Sequence, residues 1–243
     1  MIKEKIIAVI PARYAATRFP AKLMKMLGDK PVIAHTYAAV AGSGLFDDVF
    51  VVTDSELIFE EMVSRGGKAI MSVAEHESGT DRIAEAVKDM DVEVIVNVQG
   101  DEPFMQKEPL EKIVALFNSD AVQVGSLMRK FASEEEAQNP NAVKVVTNKK
   151  GKALYFSRSV VPYKRDPQAS VPYYLHIGVY AFRKKALLDF TGWSPSLLEQ
   201  TEKLEQLRFL DNGVDIYMAE TDYETVAIDT PEDLEKAMAL LNR

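Results

Sequence analysis

No cysteine occurs anywhere in the 243 residues, which excludes disulfides and zinc sites built on thiolates. Positive charge is in short supply: 29 Lys and Arg stand against 37 Asp and Glu, and the net charge of -8 argues against nucleic acid as a partner. No apolar run is long enough for a membrane span, and the chain starts without the positively flanked apolar stretch of a signal peptide. Repeats and low-complexity tracts are also missing. These absences lead to the expectation of a soluble cytoplasmic protein. What is present, 47% hydrophobic residues, suffices for one α/β core spanning residues 1–243 with a sizeable insertion.

Apolar runs and helical patterns alternate through the first hundred residues. Ile6–Ile10, Val49–Thr53, Ala69–Met71 and Val94–Val98 read as parallel strands, and Pro31–Ala41, Glu56–Arg65, Ser78–Asp89 and Glu108–Phe117 as helices. Later, strands are expected at Ala121–Arg129, Ala142–Thr147, Tyr173–Phe182, Ile216–Glu220 and Thr225–Ile228, with a hairpin turn at Asn148–Gly151. Helices are expected at Ala186–Phe190, at Ser196–Asp211, and after Thr230-Pro231 to Leu241. The fold class is therefore α/β: a mixed, mostly parallel central sheet with helices on both faces. A strand-rich insertion near 121–192 would cover a second substrate or a partner subunit.

Against the acidic background, the stretch Ile7–Lys22 stands out, because an apolar strand runs straight into a turn carrying Arg13, Arg18 and Lys22. Ligands of open α/β sheets bind beyond the carboxyl ends of strands, and several cations together suit a polyphosphate. Val94–Val98 delivers Gln99-Gly100-Asp101-Glu102 to the same edge. Asp101, with Glu102 the weaker candidate, suits Mg²⁺, which takes one or two carboxylates plus substrate phosphates; it equally suits a turn after Gly100. Asp229 is either a second such carboxylate or a helix cap. In His76–Arg82, Ser78 either opens an anion-binding helix start or merely caps the helix, with Asp81 three residues on. A further group, Arg158, His176, Glu202, Glu205 and Gln206, suits a polyhydroxylated carboxylic acid, as it would a solvated charged face. In that group Glu202 and Glu205 are expected on one face of a single helix.

Seven ordered blocks, IPARYAATRFPAK (10–22), HESGTDRIAE (76–85), VNVQGDEP (96–103), NPNAVKVV (139–146), ALYFSR (153–158), LEQLR (204–208) and DTPEDLE (229–235), resemble the CMP-Kdo synthetases, the 3-deoxy-D-manno-octulosonate cytidylyltransferases of lipopolysaccharide biosynthesis. The resemblance spans nearly the whole chain. It implies a Rossmann-like nucleotidyltransferase fold, usually homodimeric, that condenses CTP with Kdo to CMP-Kdo and pyrophosphate using Mg²⁺. By that resemblance Arg13 and Lys22 hold the triphosphate, and Ser78, Arg82 and Gln99 lie on the nucleotide side. Asp101 and Asp229 ligate Mg²⁺, Asp101 also serves the chemistry, and Arg158, His176, Glu202, Glu205 and Gln206 form the sugar side. Two departures stand out. Ala21-Lys22-Leu23 replaces the family's usual Gly-Lys-Pro, and Leu175 stands where a cation often precedes the histidine. The lost cation makes an 8-amino analogue of Kdo an alternative acceptor. Another cytidylyltransferase acceptor, such as a sialic acid, and a non-catalytic nucleotide-binding regulator are the remaining alternatives.

Overall fold

The computed structural model describes residues 4–15, 19–74, 76 and 78–241. Arg18 lies outside them. The chain divides into two compact units, one running to Leu110 and resuming at Glu224, the other comprising Glu111–Tyr223. The stretch expected as an insertion near 121–192 falls within the second. The chain has a mixed α/β fold with a mostly parallel central sheet.

In the first unit β1 (Ile6–Ala12) leads, through a 3-10 turn at Lys22–Met24 and the small ladder of β2 (Met26–Leu27) with β3 (Lys30–Pro31), to α1 (Val32–Gly42). β4 (Asp48–Thr53), α2 (Glu56–Ser64), β5 (Ala69–Met71), α3 (Gly79–Val87) and β6 (Val94–Asn97) follow. The strands lie in the order β6-β1-β4-β5, all parallel. Ile7 to Ile10 and Val94 to Val96 are almost wholly buried, which is why these strands read as unbroken apolar runs rather than alternating ones. All their carboxyl ends therefore face one edge, where Arg13 and Asp54 follow the last strand residues directly and Asp101 follows Asn97 after a short turn.

Two features fix that edge. Thr36, buried on α1, donates its hydroxyl to the Gly100 carbonyl at 2.8 Å. A Cβ on Gly100 would stand 3.2 Å from Leu23, Ile33 and the Pro11 carbonyl, so any larger residue in the turn that presents Asp101 would push these neighbours back by a few tenths of an ångström.

Helix α4 (Lys107–Ala115) ends in a 3-10 turn, Leu116–Asn118, where one helix to Phe117 was expected. In the second unit β7 (Val124–Lys130) pairs antiparallel with β10 (Tyr174–Arg183) and parallel with β11 (Ile216–Glu220). β8 (Lys144–Thr147) pairs antiparallel with β10 and with β9 (Ala153–Ser157), the far arm of the Asn148–Gly151 hairpin, which the sequence reading left without a strand. Helix α5 (Lys184–Thr191) follows β10.

The helix expected over Ser196–Asp211 is two helices, α6 (Leu197–Glu202) and α7 (Leu207–Asp211), with Lys203 between them at φ 54°. The cause is the Arg208 guanidinium, which grips Glu199 at 2.5 and 2.7 Å and stacks 4.1 Å above Phe190. Residues nine apart fall on opposite sides of a continuous helix, so the chain must break for the two to meet. Glu202 and Glu205 consequently do not share a helical face.

A second correction concerns Thr225–Ile228, which forms no strand. Ile228 is buried and donates its N–H to the Asp101 carbonyl at 3.0 Å, a single backbone bond rather than a ladder. Helix α8 (Pro231–Leu241) completes the first unit.

Ala21, immediately before Lys22, has φ 53° and ψ 29°, a left-handed conformation that costs an alanine about 1–2 kcal/mol. The departure from the family's glycine is thus absorbed as strain. Replacing Ala21 by glycine is expected to raise the free energy of unfolding by about 1 kcal/mol, read from the urea midpoint; an unchanged or lower midpoint would show that no strain resides there.

Candidate functional site

Lys22, Asp101 and Asp229 come from the start, middle and end of the chain and meet in the first unit. The Lys22 ammonium donates to Asp101 Oδ2 at 2.5 Å and to Asp229 Oδ1 at 2.7 Å. The Lys22 and Asp101 side chains keep only 17% and 20% of their exposure, so this ion cluster is partly desolvated. Desolvation alone would lower the lysine's pKa; the two carboxylates outweigh it and raise the pKa above its ordinary value.

The choice between cap and functional carboxylate at Asp229 is decided by its neighbour. Thr230 does the capping: its hydroxyl accepts the Asp233 N–H at 3.3 Å, while the Asp233 carboxylate takes the Thr230 N–H and hydroxyl at 3.1 and 3.0 Å. The Asp229 side chain is left to reach Lys22.

Asp101 Oδ2 and Asp229 Oδ1 converge on one cation, and against two carboxylates the ammonium leaves one net negative charge. Hard oxygen donors in this number fit Mg²⁺, which shares its remaining positions with phosphate and water. Among the described residues no group of three or more His, Cys, Asp or Glu could hold a metal ion, so this pair would depend on substrate oxygens.

Around helix α3 a second arrangement forms. Arg82, only 2% exposed, donates from Nη2 to Asp54 Oδ2 at 2.6 Å, while its Nε and Nη1 lack hydrogen-bond partners among the described residues. Buried guanidinium donors without acceptors are a poised binding group. Asp54 is held below its ordinary pKa chiefly by that hydrogen bond. Ser78 caps α3, accepting the Asp81 N–H at 3.1 Å and donating to its carboxylate at 2.8 Å. Arg13 donates to the His76 carbonyl at 3.1 Å. Gln99 reaches Asn97 Oδ1 at 3.5 Å.

Glu85 anchors the segment that carries that carbonyl. Its carboxylate accepts from Ser72 Oγ, His76 Nε2, Ala74 N and Val73 N at 2.6–3.2 Å. Burial opposes ionisation, yet these four donors bring the pKa down to about 2.

The second unit gathers part of the later group. Glu202 accepts from Ser157 Oγ at 2.7 Å and from the Arg158 N–H at 3.0 Å; Arg158 returns Nε to the Glu202 carbonyl at 2.7 Å and Nη1 to Pro140 O at 3.2 Å. Lys144, wholly buried, donates to the Arg158 and Asn139 carbonyls at 2.5 and 3.0 Å. Its pKa is lowered, mainly by burial. His176 lies between Phe156 and Tyr180, with ring centroids 5.0 and 5.3 Å away, and burial pushes its pKa down to about 3. Gln206 is buried, and its Nε2 lacks a partner among the described residues. Glu205 acts on Tyr180 electrostatically, adding to the burial that raises its phenol pKa.

A family model described as cytidylyltransferase matches residues 7–216. The 3-deoxy-manno-octulosonate cytidylyltransferase of Flavobacterium johnsoniae is 60% identical over 98% of this chain and 98% of its own, and that of Christiangramia forsetii is 53% identical over 99% and 98%. The chain belongs to the 3-deoxy-manno-octulosonate cytidylyltransferase family. A solved structure of CMP:2-keto-3-deoxy-manno-octonic acid synthetase complexed with CTP matches at a TM-score of 0.94 and 38% identity, over 98% of this chain and 99% of that one.

Sequence reasoning singled out Lys22, Asp101 and Asp229, which the structure brings together, and did not single out Asp54, Glu85, Ser126, Lys144 or Ser157, which hold the neighbouring hydrogen bonds. Asp54 was findable, since it follows a parallel strand as Asp101 does. Glu85 and Lys144 were not, because a lone charge on a helix or strand carries no mark of its distant partners.

The depressed Glu85 pKa has a definite sign. Its contribution is complete above the ordinary value of 4.5 and is lost as pH falls toward 2. Glu85→Gln should therefore lower the urea midpoint at neutral pH, with the gap from wild type narrowing as pH drops below 4.5; a gap constant with pH would exclude this role.

Proposed function

We propose that the protein transfers the cytidylyl group of CTP to Kdo, giving CMP-Kdo and pyrophosphate for lipopolysaccharide biosynthesis. The observation that carries this reading is the convergence of Lys22, Asp101 and Asp229 on one partly desolvated point at the carboxyl edge of the parallel strands, where polyphosphates bind in sheets of this kind. In the reaction the anomeric C2 hydroxyl of the sugar acid attacks the α-phosphorus, the bond to the β,γ-diphosphate breaks, and the hydroxyl proton is lost to base.

Asp101 and Asp229 would hold Mg²⁺. Bound there, the ion would neutralise charge on the phosphate oxygens. Lys22, whose pKa the two carboxylates raise, exchanges a carboxylate for a phosphate oxygen as an ammonium when nucleotide binds. Arg13 adds a planar fork to the triphosphate. Arg82 offers Nε and Nη1, which lack partners among the described residues, on the nucleotide side, where Ser78 and Gln99 are also read. Asp101 orients the attacking hydroxyl. On the sugar side Arg158 and Glu202 hold one another in place, while His176, Glu205 and Gln206, whose Nε2 lacks a partner among the described residues, recognise hydroxyls and the carboxylate.

We read the protein as a cytoplasmic homodimer, since CTP is a cytoplasmic nucleotide and Leu154, Tyr163 and Leu197 are exposed apolar groups that support self-association. No helix among the described residues is long and apolar enough to cross a membrane.

The test is pyrophosphate release from CTP and Mg²⁺ with Kdo, its 8-amino analogue, a sialic acid or no acceptor. Release with Kdo is expected, and Lys22→Met should cut kcat by about 10²–10³-fold, the scale of losing one donor at developing charge. Release with the 8-amino analogue alone would name the other acceptor. CTP binding without release for any acceptor would indicate a non-catalytic nucleotide-binding regulator.

A further inference from the structure

The pairing of β7 with β10 slips between Ile177 and Tyr180. Leu127 faces Ile177, yet Ser126, its immediate neighbour, faces Tyr180, so the register shifts across Gly178 and Val179. The slip brings two backbone carbonyls to one side chain: Ser126 Oγ lies 3.2 Å from Ile177 O and 2.9 Å from Val179 O. His176 Nε2 lies 3.1 Å from the same oxygen.

Ser126 is wholly buried, so water does not share its hydrogen bonds. A hydroxyl carries one proton, and a carbonyl can only accept. With two carbonyl oxygens at hydrogen-bond distance, the Ser126 proton is directed to them; aimed at the imidazole instead, it would leave both carbonyls against a bare hydroxyl oxygen. The remaining lone pair of Ser126 must therefore receive a proton from His176 Nε2. Burial keeps the ring neutral, with a pKa of about 3, so it holds a single proton. That proton being on Nε2, Nδ1 keeps an unshared pair, and no hydrogen-bond partner for Nδ1 exists among the described residues. Phe156, edge-on, and Tyr180 fix the plane in which the lone pair lies.

We propose that Ser126 is a positioning residue that locks His176 in the Nε2-protonated tautomer, so that Nδ1 faces the sugar acid as a hydrogen-bond acceptor for one of its hydroxyls. The tautomer follows from the fold alone, whereas the contact with the sugar rests on the reading of His176 as a sugar-side residue. An acceptor-only nitrogen selects hydroxyl or ammonium donors and rejects groups that only accept, whereas the opposite tautomer would invert that preference.

Long-range proton–nitrogen NMR on ¹⁵N-histidine protein tests both parts, and with three histidines in the chain His176 is assigned by the signal lost in His176→Gln. In nucleotide-free wild-type protein at neutral pH the His176 proton should be on Nε2. Ser126→Ala should move it partly or wholly to Nδ1 and raise KM for Kdo about tenfold, with a smaller effect on kcat. Kdo added with an unreactive CTP analogue should shift the Nδ1 resonance of wild type and leave Nε2 nearly unchanged. A wild-type proton on Nδ1 overturns the proposal without any need for the variant to fold. An Nδ1 resonance indifferent to Kdo, in a preparation that turns Kdo over, overturns the sugar contact and leaves the proposed function standing. Failure to turn Kdo over would remove that function, while the tautomer would still decide the role of Ser126.

Discussion

An ammonium held between two carboxylates is the constraint on which the first unit depends. Lys22 lies 79 residues from Asp101 and 207 from Asp229, so one partly desolvated contact joins the loop after β1, the turn after β6 and the segment leading into α8. Removing Lys22 would leave two carboxylates facing each other without their cation in a partly desolvated place, which is far costlier than losing a surface pair. The surroundings are built to hold these positions: Gly100 packs tightly before Asp101, Thr36 grips that turn from α1, and Ala21 accepts a left-handed backbone next to Lys22. With one lysine against two aspartates the cluster still attracts positive charge. That makes it a place where a divalent cation and a triphosphate can replace an internal ion pair.

The same economy of internal partners recurs elsewhere. Glu85 ties down Ser72, Val73, Ala74 and His76, and the His76 carbonyl in turn holds Arg13. In the second unit Lys144, Arg158 and Glu202 satisfy one another largely through backbone carbonyls and N–H groups. These charged residues are positioned by the fold before any ligand arrives, which limits the reorganisation that binding requires. Arg82 and Gln206 differ, because each keeps buried donors without acceptors among the described residues.

Much of this was legible from residue order. Buried parallel strands announce themselves as apolar runs, and the rule that ligands gather past their carboxyl ends led directly to Lys22 and Asp101. Asp229 was ambiguous, since an Asp-Thr-Pro sequence supplies two potential caps and only the structure shows Thr230 taking that task. The long helix at Ser196–Asp211 was misread because local propensity favours helix throughout, whereas the Arg208–Glu199 pair and its contact with Phe190 impose a break. Thr225–Ile228 has the composition of a strand, yet it docks by burying Ile228 and by one backbone bond. The Ser126–His176 relation was invisible for a similar reason: it arises from a slip in strand register, and side-chain spacing does not encode where a ladder slips.

The central claim is that Asp101 and Asp229 together hold the divalent cation that accompanies CTP. Electron paramagnetic resonance of Mn²⁺, titrated with CTP into wild type, Asp101→Asn and Asp229→Asn, tests it most directly. The account predicts a tight protein-bound Mn²⁺–CTP signal in wild type, weakened at least about tenfold by either substitution. Equal binding in all three proteins would contradict it.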